Sequence, residues 1–267
     1  MQRNRIDNTK VKIATWNVNS LRVRLAHLLD WLNTVQPDIM ALQETKSLDE
    51  NFPAQEIVDA GYQVIFSGQK SYNGVALLSR VPASEVAMDI PGLADPQRRV
   101  LAATYGDLRV LNIYVPNGAS VGSEKYDYKL SWLTQLCIYI ESQLARYPRL
   151  VVLGDFNIAP EDRDVHDPKA WEGQVMVSEA ERSFFSRLLS MGLHDTFRLF
   201  EQQADIFSWW DYRAAGFRRN FGLRIDHILV SEALRENCIT CRVDKAPRKL
   251  ERPSDHAPVL VELDNVG

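Results

Sequence analysis

The chain has 267 residues, of which 45% are hydrophobic and 25% are charged. This balance is typical of a globular protein with a large core and argues against a disordered or fibrous chain. The formal net charge of −4 argues against a generally basic nucleic-acid coat protein. Three cysteines are too few for a disulfide framework, and no apolar run could span a membrane. We therefore expect a cytoplasmic protein without membrane association.

The chain contains no linker, low-complexity segment or repeat that would divide it into several units. Its first ten residues are polar and lack the apolar segment of a signal peptide. We therefore predict a flexible N-terminal arm over residues 1–10 and a single domain over residues 11–267.

The first half of the chain predicts strands interrupted by one long helix. Leucines spaced three or four residues apart predict an amphipathic helix, which Asn19 or Ser20 can cap and which Pro37 closes. The strands are predicted at residues 11–16, 39–42, 62–66, 74–78, 100–105 and 108–115. The last two form a hairpin, and the third and fourth pair with each other.

The second half predicts two further helices and five strands. An apolar stripe that includes Tyr126, Leu133 and Ile140 predicts a long helix, and Ser178 with Glu181 forms a capping box at the start of another. The strands are predicted at residues 150–153, 206–210, 223–230, 238–243 and 258–263. So many hairpins argue against a doubly wound parallel sheet. We expect an α/β (α+β) protein in which mixed sheets pack together with helices outside.

One strand end carries polar groups suited to catalysis. The apolar run at residues 150–153 ends at Gly154 and is followed by Asp155 and Asn157. Their side chains point the same way, because side chains alternate along an extended chain. Two oxygen-bearing groups held side by side can position a water molecule, a phosphate oxygen or Mg²⁺. An ordinary turn stabilised by Asp and Asn explains this stretch equally well.

Other conspicuous polar residues also lie at predicted strand ends or in the loops that follow. They are Asn17, Glu44, Tyr114, Asp155, Asn157, Asp226 and the segment 254–256. A capped turn or a buried ion pair explains each one alone, but together they favour a site, because sites assemble at strand ends in layered α/β folds. Glu44 with carboxylates and amides nearby suggests bound Mg²⁺ or Mn²⁺. His256 beside a carboxylate suggests an imidazole oriented by Asp226.

Basic residues are concentrated near the C-terminus. Residues 213–252 contain ten arginines and lysines against five acids. One face can therefore bind a polyanion, although a solvated charged surface is the simpler alternative. Oxygen-bound metal, an Asp–His pair and a basic face together indicate metal-assisted phosphoester hydrolysis.

Seven short motifs occur in order along the chain. They are WNVN at residues 16–19, LQETK at 42–46, YNGVA at 72–76, GDFN at 154–157, FSWWDYR at 207–213, GLRID at 222–226 and SDHAP at 254–258. In this ordered set the sequence resembles the exonuclease III family of abasic-site endonucleases, within the endonuclease/exonuclease/phosphatase superfamily. The resemblance covers nearly the whole chain from Val11 onward. It implies a four-layered α/β sandwich and a single catalytic domain.

The resemblance also implies a metal site with Glu44 as the principal Mg²⁺ ligand. Carboxylate and amide oxygens are the ligands that Mg²⁺ prefers, and Mn²⁺ is the alternative ion. The residues implied to lie at or near the metal are Asn17, Glu44, Asp155, Asn157, Asp255 and His256.

Catalytic roles follow from the same resemblance. Asp155 would orient or deprotonate the attacking water, Asn157 would hold the water or the phosphate, and Tyr114 would contact the phosphate. His256, paired with Asp226, would bind the scissile phosphate and stabilise the charge on it. The family leaves open whether Asp155 or His256 is the general base.

The resemblance further implies how DNA is bound. Trp209, Leu223 and Ile225 match positions that wall a small apolar pocket, which admits a flipped-out sugar that lacks its base. Simple core packing is the alternative for Trp209. The residues implied to contact the DNA backbone are Arg22, Tyr72, Asn117 and Arg98 or Arg99.

The loop at residues 173–177 bears on substrate preference. Members of this family divide between incision at internal abasic sites and removal of blocks or nucleotides from 3′ ends. Met176 is larger than a small polar residue, and bulk in this loop could close the pocket to an extrahelical sugar. We therefore hypothesise a bias towards 3′-end processing.

We expect a magnesium-dependent nuclease of base excision repair that acts as a monomer on double-stranded DNA. The expected substrates carry abasic sites, which are cut on the 5′ side, or 3′-blocked or recessed ends, from which blocking groups and nucleotides are removed. The alternatives are a phosphatase or phosphodiesterase of another branch of the superfamily, and a DNA-binding module without catalysis.

Overall fold

The computed structural model describes residues 10–266, so all but the last residue of the arm predicted over residues 1–10 lies outside the described residues. Within that described part of the chain, every helix is too short or too polar to cross a membrane. The strands are β1 (Lys10–Asn17), β2 (Ile39–Gln43), β3 (Gln63–Ser67), β4 (Val75–Ser79), β5 (Ser84–Met88), β6 (Val100–Tyr105), β7 (Leu108–Tyr114), β8 (Leu150–Asp155), β9 (Leu193–Asp195), β10 (Trp209–Trp210), β11 (Gly222–Leu223), β12 (Asp226–Ser231), β13 (Cys238–Val243) and β14 (Val259–Asp264). The α-helices are α1 (Leu21–Val35), α2 (Ala54–Asp59), α3 (Glu124–Arg146), α4 (Pro168–Trp171), α5 (Glu179–Ser190), α6 (Gly216–Arg219) and α7 (Glu232–Arg235).

Most of these strands form two six-stranded sheets. The order in the first sheet is β13-β14-β1-β2-β4-β3, and the order in the second is β5-β6-β7-β8-β12-β9. β1 and β2 are parallel, as are β7 and β8, whereas the other neighbouring strands are antiparallel. β10 and β11 form a small antiparallel ribbon. The prediction of mixed sheets is confirmed.

The two sheets pack face to face around an apolar core that includes Ile13 and Val110. Helices α1 and α2 cover the outer face of the first sheet, where Leu28 belongs to a second apolar cluster. Helices α3 and α5 cover the outer face of the second sheet, where Leu133 belongs to a third. The apolar stripes predicted for α1 and α3 face these clusters, which explains why the chain forms four layers.

Central strands of both sheets end at one rim of the molecule. In the first sheet β1 ends at Asn17 and β2 ends at Gln43, whereas in the second β7 ends at Tyr114 and β8 ends at Asp155. A hydrogen bond of 2.8 Å from Asn17 to Asp155 joins the ends of β1 and β8. Polar groups from both sheets therefore meet at this rim.

A buried amide connects the two sheets beneath the rim. Nδ2 of Asn112, on β7, donates to the carbonyl oxygens of Leu42 at 3.0 Å and Ala76 at 2.9 Å in the opposite sheet. Its Oδ1 accepts a hydrogen bond of 2.8 Å from Nε2 of Gln43, which also donates to Thr15. Because hydrogen bonds are directional and apolar packing is not, this network fixes one sheet against the other.

Two predicted strands differ from the structure. The strand predicted at residues 206–210 is reduced to β10, and the strand predicted at residues 223–230 is divided into β11 and β12. The division arises because Arg224 turns into the interior, where its guanidinium pairs with Asp164 and Asp195.

The side-chain cap predicted for α1 is wrong. Ser20 occupies the N-cap position with a φ of 87°, but its side chain makes no capping hydrogen bond. The side chain of Asn19 is used elsewhere, because it donates to Asp255 at 2.9 Å and accepts from Lys46 at 2.6 Å. Strands β5 and β9 were not predicted, since β5 is largely exposed and β9 has three residues.

Candidate active site

Five of the predicted site residues meet at the rim where the strands end. Nδ2 of Asn17 donates to Oε1 of Glu44 and to Oδ2 of Asp155, each at 2.8 Å. Nε2 of His256 lies 3.8 Å from Oδ2 of Asp155, and its Nδ1 lies 2.9 Å from Oδ2 of Asp226. The site is therefore built from both sheets together with the loop that precedes β14.

The turn after β8 orients Asp155. Gly154 has a φ of 143°, and a Cβ atom there would overlap the carbonyl oxygen of Ile113 on the neighbouring strand. Asn157, with a φ of 48°, folds back so that its N–H donates to Oδ1 of Asp155 at 2.9 Å. Its Nδ2 donates to Oδ2 of Asp155 at 3.3 Å and to the carbonyl of Val115 at 2.9 Å. The carboxylate is thus held by its own turn.

Three residues predicted at or near the metal lie within reach of one position. Glu44, Asp155 and His256 each offer a ligand atom, and these atoms lie within 4.8 Å of one another. Oε2 of Glu44 accepts a hydrogen bond of 2.8 Å from Lys46, so a positive charge already balances this carboxylate. Two hard carboxylates suit a divalent cation, whereas Asn17 turns its NH₂ group and not its oxygen toward them.

The other predicted metal-site residues lie around this group. Asn157 contacts Asp155 directly, and its Oδ1 accepts a hydrogen bond of 3.2 Å from Asn117. Asp255 lies further away from the three clustered ligands, because its carboxylate accepts hydrogen bonds from Asn19 at 2.9 Å and from Trp209 at 3.0 Å. The structure therefore places Asp255 outside the cluster of Glu44, Asp155 and His256.

Burial and neighbouring charges determine the protonation of the site. Burial raises the pKa of Asp155 to about 7, an effect that His256 opposes and Asp226 reinforces. Burial disfavours the charged form of His256, but the carboxylates of Asp226 and Asp155 outweigh burial and raise its pKa to about 10. His256 is therefore an imidazolium near neutral pH, and Asp226 holds its Nδ1.

Tyr114 lies at the end of β7, close to Glu44. Burial, reinforced by the charge of Glu44, raises the pKa of Tyr114 well above its usual value. The hydroxyl group therefore stays protonated and can donate a hydrogen bond. The guanidinium carbon of Arg99 lies 4.6 Å from the centre of the Tyr114 ring, and its Nη1 donates to the backbone carbonyl oxygen of Tyr114 at 3.2 Å. This arginine therefore holds the tyrosine in place.

A cleft of about 530 Å³ opens beside the site. It is lined by three of the predicted DNA contacts, namely Tyr72, Arg99 and Asn117. Tyr72 is 70% exposed, whereas Arg99 is buried against Tyr114. Arg98 instead forms an ion pair of 2.5 Å with Asp89, and Arg22 lies on the exposed side of α1.

The apolar pocket predicted beside the site is filled by protein. Leu223 and Ile225 are buried in one cluster with Met176, and the half-buried Trp209 packs against this cluster. Met176 is 7% exposed and has a φ of 75°, a strained backbone conformation for a large side chain. Leu223 and Ile225 consequently offer no free surface to a sugar.

Several residues that position the site were not predicted. Oγ of Ser208 accepts from the N–H of Asp226 at 3.0 Å, and Oγ of Ser254 donates to the carbonyl of Asn17 at 2.7 Å. Serines are common in turns, so Ser208 gave no signal, whereas Ser254 was singled out within the segment 254–256 without an assigned role. Lys129 is fully buried within the apolar stripe of α3, and a charge in such a stripe was a signal that sequence analysis could have used.

Comparisons with known proteins agree with this geometry. The sequence model of the endonuclease/exonuclease/phosphatase family matches residues 14–256. Exodeoxyribonuclease III of Haemophilus influenzae is 38% identical over 266 residues, covering 95% of this chain and 100% of the relative. A solved 3′ phosphatase from Neisseria, bound to a product DNA hairpin, has a TM-score of 0.93 and 46% identity, covering 95% of this chain and 99% of that one. An AP endonuclease from Archaeoglobus fulgidus has a TM-score of 0.92 and 38% identity over the same shares.

Fold and site together define a metal-dependent hydrolase, and the chain belongs to the endonuclease/exonuclease/phosphatase family. Its relatives place it in the branch of exodeoxyribonuclease III and the AP endonucleases, which are hydrolytic nucleases. The predicted family, the four-layered fold and the nuclease class are confirmed.

Proposed function

We propose that the chain is a magnesium-dependent DNA repair nuclease that removes 3′-blocking groups and 3′ nucleotides from double-stranded DNA and cuts 5′ to abasic sites. The observation that carries this proposal is the cluster of Glu44, Asp155 and His256, whose ligand atoms lie within 4.8 Å of one another. Support also comes from two relatives of the same fold, a 3′ phosphatase bound to product DNA and an AP endonuclease.

Glu44 is proposed to be the principal ligand of Mg²⁺, or of Mn²⁺ as the alternative ion, and Asp155 is proposed to lie beside the ion as the catalytic carboxylate. Oxygen donors favour these ions, whereas zinc sites are built mainly from nitrogen and sulfur. The bound ion would polarise the phosphate and neutralise its charge. Asn17, Asn157, Asp255 and His256 surround this position and are proposed to support it.

The side chains themselves suggest a division of catalytic roles. Asp155 is proposed to accept the proton of the attacking water, because its raised pKa of about 7 makes it a stronger base than an ordinary aspartate. His256, as an imidazolium held by Asp226, would bind the scissile phosphate and stabilise the charge that develops there. Asn157 would hold the water or the phosphate, and Tyr114 would donate its hydroxyl group to a phosphate oxygen.

Processing of 3′ ends is proposed to be the favoured reaction. Met176 is buried in one cluster with Leu223 and Ile225, against which Trp209 packs. Met176 is therefore proposed to occupy the space that an extrahelical sugar would need, so that an internal abasic site would have to displace it. A terminal 3′ phosphate needs no such pocket. The exposed ring of Tyr72 and the amide of Asn117, which line the adjacent cleft, are proposed to contact the DNA backbone.

Residues 11–267 are proposed to form one catalytic domain that acts as a cytoplasmic monomer. The apolar core shared by both sheets supports this proposal, because neither sheet could bury its inner face alone. The site also takes residues from both sheets. Sedimentation analysis of the purified protein, alone and with a short duplex, would measure the oligomeric state.

A panel of substrates in Mg²⁺ tests the proposed reaction. It comprises a duplex with a 3′ phosphate, a 3′-recessed duplex, a duplex with an internal abasic site, and inositol phosphates. We expect the 3′ phosphate to be removed fastest, and EDTA or Glu44→Ala to abolish every activity. Glu50→Ala, which changes an exposed acid, is the matched control. Hydrolysis of inositol phosphates alone would favour another branch of the superfamily, and DNA binding without cleavage would favour a binding module.

Met176→Gly tests the proposed preference separately. Glycine adopts a φ of 75° without strain and would leave the pocket open. Incision of the internal abasic duplex should rise by about tenfold, since a pocket that fits its ligand discriminates by roughly 10–200-fold. Removal of the 3′ phosphate should change little. Equal rates on the two substrates in the unaltered protein would contradict the preference.

A further inference from the structure

Two fully buried charges lie next to the candidate site. Lys129 of α3 and Glu181 of α5 form an ion pair, and neither side chain has exposed surface. Taking two charges out of water is costly, so such a pair is tolerated where its remaining polar atoms are also satisfied. The contacts of each partner show what the pair connects.

The ammonium group of Lys129 holds the turn that orients Asp155. One of its three N–H groups is used by Glu181, and the others donate to the carbonyl oxygens of Asn157 at 2.8 Å and Asn117 at 3.1 Å. Asn157 in turn bonds Asp155 through its N–H, and Asn117 donates to the side chain of Asn157 at 3.2 Å. Lys129 therefore fixes the backbone of both asparagines.

The carboxylate of Glu181 holds the loop that fills the apolar pocket. Its Oε1 accepts a hydrogen bond of 2.9 Å from the N–H of Met176. Its Oε2 accepts from the N–H of Ser178 at 3.1 Å and from the hydroxyl of Ser178 at 2.5 Å. The carbonyl of Met176 accepts from Ala159 at 2.8 Å. Because Met176 has a left-handed φ, these bonds are what keep it in its strained conformation.

We propose that Lys129 and Glu181 are positioning residues that determine substrate preference, because their ion pair couples the turn of Asp155 to the loop of Met176. The inference rests on the proposed function, since it takes Met176 to exclude an extrahelical sugar. Both side chains are fully buried and act through the turn and the loop. Without the pair, the loop releases Met176 while the turn loses its anchor.

The double variant Lys129→Met/Glu181→Leu removes both charges together, so that neither is left buried and unpaired. The probes are a duplex with an internal abasic site and a duplex with a 3′ phosphate, both in Mg²⁺. The ratio of their kcat/KM values, abasic over 3′ phosphate, should rise about tenfold. The kcat for the 3′ phosphate should fall about tenfold, because the turn is less well positioned. Amide hydrogen exchange at Met176 should accelerate.

Glu141→Gln/Arg187→Met is the matched control. It removes one acid and one base from exposed positions on the same two helices, α3 and α5, and should leave the ratio of kcat/KM values unchanged. Equal losses on both substrates in the Lys129→Met/Glu181→Leu variant, with the ratio unchanged, would overturn the inference. That outcome would mean that the pair only stabilises the fold.

Two further variants separate the possible failures. If Met176→Gly raises abasic-site incision but the double variant leaves the ratio unchanged, the coupling is wrong while the proposed preference stands. If neither Met176→Gly nor the double variant changes the ratio, the pocket hypothesis and the coupling both fail.

Ser178→Ala tests the coupling if thermal unfolding shows that the double variant does not fold. It keeps both charges and removes the hydroxyl group that donates to Glu181, caps α5 and contacts Tyr126. It should raise the ratio about threefold, and an unchanged ratio would overturn the inference.

Discussion

At the scale of single residues, the contact between Asp226 and His256 determines the charge of the imidazole. Oδ2 of Asp226 lies 2.9 Å from Nδ1 of His256 and contributes the largest attractive charge that raises its pKa against the effect of burial. The Asp226→Asn variant should therefore lower the pKa of His256, so that the ring loses its proton at a lower pH, and should remove the partner that orients it. The kcat for 3′-phosphate removal should fall by about a hundredfold, the order of magnitude lost when one charge-stabilising group is removed.

Single-turnover rates would measure the effect of Asp226→Asn, with thermal unfolding as the check that the variant folds. Asp127→Asn is the matched control, because it changes an exposed aspartate on α3. An undiminished rate in the Asp226→Asn variant would mean that the imidazolium does not stabilise charge in the reaction. A pH titration followed by NMR of the His256 ring would report the pKa of His256 directly.

Residues of the site differ in how far the sequence predicts them. Asp155 and Asn157 lie together as predicted, but a turn and not strand alternation brings them together, because β8 ends at Asp155 and Asn157 has a φ of 48°. The orientation of Asp255 was not predictable, since it depends on Trp209, which is distant in the chain. The backbone of Met176 was not predictable, because a left-handed φ in a large residue has no sequence signature.

At the scale of elements, the close approach of β7 and β8 requires a glycine at position 154. These strands are parallel, and Gly154 lies opposite Ile113. A Cβ atom at position 154 would overlap the carbonyl of Ile113, so Gly154→Ala must push the strands apart. We expect the free energy of unfolding to fall by about 3 kcal/mol or more, as for other overpacked interiors. Urea denaturation measures this change.

Gly61→Ala is the control for Gly154→Ala. Gly61 has a φ of 87°, but a Cβ atom there would meet no neighbour within 4 Å. Its substitution carries the conformational cost alone, which is about 1–2 kcal/mol. A similar loss in both variants would show that backbone conformation, and not the approach of the two strands, determines the need for Gly154.

Long periodic elements were predictable, and short ones were not. The apolar spacing of α1 and α3 identified both helices, since each buries one face on a sheet. β5 is an exposed edge strand that exists because β6 offers a pairing partner, so its own sequence carries little pattern. The interruption between β11 and β12 depends on the ion pairs of Arg224, whose partners lie far away in the chain.

The site requires two sheets to be held in one relative position, which is a property of the whole molecule. The first sheet contributes Asn17 and leads to Glu44, whereas the second contributes Tyr114 and Asp155. Apolar packing alone would tolerate small shifts between the sheets, because it is not directional. The hydrogen bonds of Asn112 cross from one sheet to the other directly beneath these residues and oppose such shifts.

Asn112→Leu should therefore impair catalysis by more than its effect on stability explains. It removes the donor to the carbonyl groups of Leu42 and Ala76 and one of the two acceptors of the Gln43 amide. The free energy of unfolding should fall by about 2–4 kcal/mol. The kcat for the 3′ phosphate should also fall by about tenfold, because the ligands from the two sheets are no longer fixed together. Val110→Ala is the matched control, since it creates a cavity in the same core face of β7 with a similar loss of about 2 kcal/mol. Assayed well below both unfolding temperatures, Val110→Ala should keep its kcat, and an equal loss in the two variants would show that stability alone controls the rate.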